Sequence, residues 1–143
     1  MANSAPVQHA QTIPHIMQHL GRTHGLLRDA RLDPNLSNLI ELRISQINGC
    51  AYCVKMHASD ARKAGERNER LDRLAVWRHV SDFSEAEKAA FAWAEALTSL
   101  DLDADYRPLR TSLREHYSDE MISLITTSVA MINLWNRVQA STH

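Results

Sequence analysis

The chain has 143 residues, of which 44% are hydrophobic and 23% are charged, and its formal net charge is −1. These values are typical of one globular domain over residues 1–143, and they argue against a disordered chain and against a basic nucleic-acid-binding surface. No apolar stretch reaches the ~20 residues of a membrane-spanning helix, and the N-terminal residues lack the apolar centre of a secretory signal. We therefore expect a cytoplasmic protein that binds neither nucleic acid nor membranes.

The first half of the chain carries helical signals and no strand pattern. No run of residues alternates with the period of two that a half-buried strand requires. Asp33 before Pro34 is typical of a helix start, and Asn48-Gly49 is typical of a helix end. A further helix is predicted from about Ala51 to Ala64. Ahead of these, one helical stripe is formed by Ile13, Ile16, Met17, Leu20, His24 and Leu27.

The second half continues the helical pattern. Ser84–Glu87 has the spacing of a capping box, which predicts a helix start there. Another short helix is expected around Tyr106–His116. Ser118 is expected to cap the longest helix, which runs to about Ala140 and is apolar on two stripes. A short helix before the capping box is indicated by Leu71, Leu74 and Trp77.

Together these signals predict an all-α, single-domain bundle of six or seven helices, with the last long helix packed against the helix that begins near Cys50. Apolar side chains on two sides of the last helix are more than a small domain readily buries by itself. We therefore expect the chain to form a homo-oligomer.

Cys50 and Cys53 are the two cysteines of the chain, and His57 follows one helical turn later. Residues three and four apart share one face of a helix, so the three side chains line up. A helix N-terminus, an imidazole and a second thiol each favour a thiolate, and such settings lower a thiol pKa from ~8.5 to between ~3.5 and 7.5. The spacing therefore predicts a redox-active dithiol assisted by His57, without a bound organic cofactor.

The two cysteines have other possible roles. Buried cysteines can serve as core residues, but a shared CxxC spacing with a following histidine favours chemistry over packing. A structural zinc site needs four ligands, whereas this motif supplies three, so only a three-ligand catalytic zinc site stays open and no metal is expected. A thioredoxin-type site needs a strand before its helix, and no strand is predicted.

The remaining histidines give weaker signals. His15, His19 and His24 lie close together, but no carboxylate or thiol is patterned with them. We interpret them as solvated or interface residues. Trp135 falls at a core position of the last helix, which is typical of a packing anchor.

The segment from Glu41 to His57, ELRISQINGCAYCVKMH, closely resembles the core motif of the AhpD-like alkylhydroperoxidases, which belong to the carboxymuconolactone decarboxylase superfamily. The resemblance covers most of the chain and implies an AhpD-like helical fold, often assembled as a trimer or a hexamer built from dimers. Its further matching segments are Ala61-Arg62, Gly65-Glu66, Trp77-Arg78, Phe83-Ser84, residues 92–97 and residues 132–137.

The resemblance also implies a mechanism. Cys53 would attack a small hydroperoxide, and Cys50 would resolve the resulting sulfenic acid to a disulfide. A dithiol electron donor of unknown identity would then reduce the disulfide. Spacing alone leaves the two roles open, because the helix terminus favours a thiolate at Cys50 and His57 favours one at Cys53.

Two positions depart from the founding peroxidases. Those have a glutamate twelve residues before the first cysteine, where this chain has Asn38, and a histidine where this chain has Tyr52. Glu41 lies one turn after Asn38 and is expected to take part of the role of the missing glutamate, with Asn38 as a neutral hydrogen-bond partner. The alternative for Glu41 is a solvated charge or a salt-bridge partner.

Three functions therefore stay open. The first is an oxidoreductase that reduces hydroperoxides or disulfides through Cys50 and Cys53. The second is a cofactor-free lyase acting on a small lactone acid, with His57 or Glu41 in acid–base roles. The third is a non-enzymatic redox-sensing oligomer. The CxxC pair favours the first, because proton transfer does not need two thiols.

Overall fold

The computed structural model describes residues 2–30 and 32–143, and in these residues every regular element is a helix. The predicted all-α class is confirmed. The helices are α1 (His9–Thr12), α2 (Pro14–Asp29), α3 (Pro34–Ile47), α4 (Ala51–Lys63), α5 (Asn68–Arg73), a 3₁₀ helix (Leu74–His79), α6 (Glu85–Ser99), α7 (Arg107–Arg114) and α8 (Asp119–Ala140).

The described residues contain eight α-helices, more than the six or seven expected. The additional element is the four-residue α1, which is separated from α2 at Ile13. Ile13 leaves helical geometry with φ −130° and ψ 58°, because the ring of a following proline disfavours the helical region for the residue before it. Pro14 can then begin α2, since the first position of a helix needs no backbone donor.

The predicted helix starts are confirmed at three places. The Asp33 side chain accepts a hydrogen bond from the backbone of Asn35 at the start of α3. Ser84 and Glu87 form a full capping box, with distances of 3.1 Å and 2.8 Å between side chain and backbone. The Ser118 hydroxyl accepts from the backbone of Met121 at the start of α8. Each such cap is worth about 1 kcal/mol, because it satisfies a donor that the helix leaves open.

Helix α3 lies at the centre of the bundle. It packs against α4, α6 and α8, and its side chains Leu39, Ile40 and Ile44 are fully buried. Helix α8 packs chiefly against α3 and α6, and its predicted contact with α4 is present but smaller. Because α3 packs directly against α4, a side chain of α3 can lie next to the helix that carries the cysteine motif.

A polar network fixes the turn between α3 and α4. The Asn48 side chain donates to the side-chain oxygens of Asn136 and Asn133 on α8, at 2.9 Å and 3.0 Å. Asn136, which is only 1% exposed, donates in turn to the hydroxyl of Ser45 at 3.0 Å. After Asn48, Gly49 adopts φ +66°, a conformation that glycine takes without a steric penalty. The turn that leads into α4 is thus held to α8 by amide hydrogen bonds.

Helix α2 is the least anchored long helix. None of its 16 residues is buried, and Ile16 and Leu26 are exposed to 57% and 71%. It contacts α1 and α8. In the described part of the chain, no helix combines the length and the apolar character needed to traverse a bilayer.

We expect Asn136→Ala to lower the free energy of unfolding by about 2 to 4 kcal/mol, because it leaves the buried Ser45 hydroxyl without its partner and removes one of the two acceptors of the Asn48 amide. Urea unfolding followed by circular dichroism measures the change. Thr127→Ala on the exposed side of the same helix is the control, with an expected effect within about 0.5 kcal/mol. Equal effects of the two substitutions would show that the network does not stabilise the fold.

The homo-oligomer stays a prediction, and the surface of α8 offers a candidate contact area. An open groove lies along the outer side of α6 and α8, and apolar residues including Leu97, Leu100, Ala130 and Leu134 line it. We expect the chain to sediment as an oligomer in analytical ultracentrifugation at micromolar concentration and Leu134→Glu to shift it towards the monomer. A monomeric parent protein would contradict the prediction.

Candidate functional site

The two cysteines lie where the Asn48-Gly49 turn leads into α4. Cys50 is the N-cap residue of α4, and its sulfur accepts a hydrogen bond from the backbone N–H of Cys53 at 3.4 Å. Cys50 and Cys53 are joined by a disulfide, with their Cα atoms 5.3 Å apart. The CxxC spacing therefore brings the two sulfurs together at the N-terminal end of a helix, where the helix dipole favours negative charge.

The two sulfurs differ in their access to a cavity. Both cysteines are buried, with Cys50 0% and Cys53 3% exposed, but Cys53 is the one that lines a cavity of about 540 Å³. The walls come from the segment before α2, from α2, from α4 and from the end of α8. Most of the lining is apolar, including Val7, Met17, Met56, Ile132, Trp135 and Val138.

His57 lies one turn after Cys53 and lines the same cavity. Its side chain is fully buried. The Nδ1 atom lies 3.2 Å from Oε2 of Glu41, which is an ion-pair distance, although the two atoms are not aligned as a regular hydrogen bond. The Nε2 atom has no hydrogen-bond partner among the described residues. One side of the ring thus faces a carboxylate and the other side is free.

Glu41 is a buried carboxylate, only 2% exposed, on α3. Its Oε1 accepts a hydrogen bond from Nε2 of His24 at 3.0 Å, and its Oε2 lies 3.6 Å from the guanidinium of Arg28. Burial alone raises the pKa of Glu41, but the hydrogen bond from His24 and the contact with His57 outweigh burial and lower this pKa to about 2. Glu41 is therefore an anion at any physiological pH.

The CxxC helix lies in a segment that matches a known protein family. The sequence profile described as the carboxymuconolactone decarboxylase family matches residues 14–96, which include α2, α3 and the whole CxxC helix. The chain belongs to the carboxymuconolactone decarboxylase family. The predicted resemblance to its AhpD-like members is confirmed.

Three relatives show how far the likeness of this family member extends. The uncharacterised protein YdfG of Bacillus subtilis is 33% identical over 135 residues, covering 94% of this chain and 92% of its own. A crystal structure from Agrobacterium tumefaciens, of unknown function and described as a candidate AhpD antioxidant defence protein, is 31% identical with a TM-score of 0.91 over 97% of this chain and 95% of that one. An uncharacterised peroxidase-related protein from Silicibacter shares the fold, with a TM-score of 0.73 and 18% identity over 99% of this chain and 85% of that one.

The structure brings together the four residues that the sequence proposed for this family member. Cys50 and Cys53 are bonded, and Glu41 reaches His57 directly. Asn38 does not join them. It lines a separate cavity of about 200 Å³ beside Arg28 and Asp60, and no described hydrogen bond involves its side chain. The expected hydrogen bond from Asn38 was therefore wrong, because Asn38 lies one turn earlier on α3 than the contact with His57.

Sequence reasoning missed two cationic or titratable partners on α2. His24 and Arg28 both contact Glu41, and Arg28 also lies 3.6 Å from Asp60. The signal for His24 was present in the sequence, since a histidine stood in a stripe of otherwise apolar residues. Over residues 2–30 and 32–143, no group of three or more His, Cys, Asp or Glu side chains is arranged to hold a metal ion.

We expect Glu41→Gln to change how stability depends on pH. The pKa of Glu41 is about 2 in the folded chain, against an ordinary 4.5. Ionised Glu41 therefore stabilises the fold fully above pH 4.5, and this contribution, on the order of 3 kcal/mol, is lost as the pH falls towards 2. Urea unfolding of parent and variant at pH 6, 4 and 3 should give a difference that shrinks with acidity. A difference that does not vary with pH would contradict this assignment.

Proposed function

We propose that the protein is a thiol-dependent oxidoreductase that reduces hydroperoxides through a dithiol–disulfide cycle of Cys50 and Cys53. The observation that carries the proposal is the Cys50–Cys53 disulfide, with Cys53 and His57 lining the same cavity. The Nε2 atom of His57 has no hydrogen-bond partner among the described residues. The family of the chain and its 31% identity with a candidate antioxidant defence protein support the same class of activity.

The oxidative half of the cycle begins with Cys53. In the reduced protein, Nε2 of His57 accepts the proton of the Cys53 thiol, and the thiolate attacks the outer oxygen of the hydroperoxide. The O–O bond breaks, an alcohol leaves with a proton returned by His57, and Cys53 becomes a sulfenic acid. The thiol of Cys50 then attacks the Cys53 sulfur, water leaves, and the disulfide forms. Cys53 has the attacking role because it lines the cavity, whereas Cys50 does not.

The reductive half of the cycle uses the same cavity. A thiolate of an external dithiol attacks the Cys53 sulfur, the S–S bond breaks, and Cys50 leaves as a thiolate. The backbone N–H of Cys53 and the N-terminal end of α4 stabilise that leaving thiolate. The second thiol of the donor then displaces Cys53, so the donor is oxidised to its own disulfide and both cysteines are reduced.

The lining of the cavity favours an uncharged organic hydroperoxide. Among the described residues that line it, apolar side chains predominate and none is Lys, Arg, Asp or Glu. An apolar alkyl or aryl group gains free energy by leaving water for such walls. The lyase alternative acts on a lactone acid, whose carboxylate would find histidine as its only cationic partner there.

The test measures hydroperoxide consumption with dithiothreitol as the donor. We expect the parent to consume cumene hydroperoxide, Cys53→Ser to be inactive, and Cys50→Ser to accumulate a sulfenic acid at Cys53 that dimedone traps and mass spectrometry detects. His57→Ala should lose roughly 10²-fold or more in rate, because the thiol loses its base. The matched control is His79→Ala, which removes an exposed histidine outside the site.

Two results would contradict the proposal. Hydroperoxide turnover that is unaffected by either cysteine substitution would exclude the dithiol cycle, and no turnover in the parent would leave the lyase or a structural role. Dimedone labelling of Cys50 in the Cys53→Ser variant, with none of Cys53 in the Cys50→Ser variant, would reverse the assigned roles. The contribution of Glu41 can be tested separately. If Glu41→Gln consumes hydroperoxide at the parent rate while His57→Ala is inactive, the proton transfer is assigned to His57 alone.

A further inference from the structure

His24 is the one side chain of α2 that both lines the cavity and contacts the buried carboxylate. Its Nε2 lies 3.0 Å from Oε1 of Glu41, and its side chain is 18% exposed. Its ring stacks on Trp135, with centroids 6.4 Å apart and planes inclined by 27°. No residue of α2 is fully buried, so these two contacts contribute to the position of His24.

The contact from His24 determines which way the Glu41 carboxylate faces. The two oxygens have separate partners, since Oε1 accepts from His24 and Oε2 lies 3.2 Å from Nδ1 of His57. With Oε1 held, Oε2 faces Nδ1 and favours the proton on that nitrogen. The Nε2 atom of His57 is then the one with a free lone pair, and it is buried without a described partner.

We infer that His24 is a positioning residue that prepares His57 to act as the base for Cys53 and that exerts this effect through Glu41. The inference rests on the proposed dithiol cycle, in which His57 takes the Cys53 proton. Without His24, the remaining partner of Glu41 from α2 is Arg28, at 3.6 Å and on a side chain that is 47% exposed. A flexible, solvated guanidinium at that distance does not hold the carboxylate in one orientation.

The charged and titratable groups around Glu41 come from two elements. His24 and Arg28 belong to α2, and His57 belongs to α4, with Asp60 of α4 beyond Arg28. Helix α8 presents the ring of Trp135, which does not titrate. A change in the pH profile on substituting His24 would therefore report on this cluster.

The test uses the reactivity of Cys53 instead of peroxide turnover. Cys50→Ser leaves Cys53 as the only cysteine of the chain and keeps a good N-cap residue at the start of α4. In this background, the alkylation rate by iodoacetamide is measured from pH 5 to 9. We expect His24→Leu to slow alkylation at pH 7 by roughly tenfold and to move the profile to higher pH. His24→Gln, which keeps an N–H donor, should restore most of the rate.

The control and a double-variant cycle separate this role from a purely structural one. His19→Leu lies on the exposed side of the same helix and should leave the profile unchanged. In a Glu41→Gln background no buried charge is left without a partner, so His24→Leu can be tolerated, and it should slow alkylation by less than twofold. Additive slowing in that background, or an unshifted profile for His24→Leu alone, would overturn the inference. An absence of hydroperoxide turnover in the parent would instead overturn the proposed function, and the effect of His24 on the reactivity of Cys53 would still hold.

Discussion

The arrangement around the two cysteines depends on one buried charge, the carboxylate of Glu41. An ionised carboxylate costs several kcal/mol to remove from water unless partners compensate for the lost hydration. Glu41 is 2% exposed and has a pKa of about 2, so it is an anion inside the protein. The compensation comes from His24 and Arg28 on α2 and from His57 on α4. The same charge thereby links α2 and α4 to α3 and faces the His57 ring.

A second constraint acts on the other end of the site. The amide network of Asn48, Asn133 and Asn136 ties the turn before α4 to α8, and this turn sets the first residue of the helix. Cys50 therefore lies at the helix N-terminus, where its sulfur meets a backbone N–H. Asn136 is buried, and a shift of the turn would leave polar atoms of this network without their partners, so the hydrogen bonds favour a single geometry. The disulfide and the histidine thus belong to one helix that is fixed at both its start and its middle.

The site of this family member also explains its departure from the founding peroxidases. The position of their glutamate is Asn38 here, which lines a different cavity beside Asp60. Glu41 lies one turn further along α3, and this turn directs a side chain to His57 instead. In this chain, a carboxylate of α3 thus faces the histidine, one turn after the position at which the resemblance to the founding peroxidases predicts a glutamate.

The sequence by itself determined several features that depend on contacts within about four residues. The capping box at Ser84, the start of α3 at Pro34 and the shared face of Cys50, Cys53 and His57 follow from local hydrogen bonds and helical periodicity. Only the tertiary structure decided that His24 meets Glu41, that Trp135 stacks on His24, and that Cys53 rather than Cys50 lines the cavity. These contacts join residues far apart in the chain. The relative placement of helices determines them, and helical periodicity carries information about the buried face of each helix but not about which helix covers it.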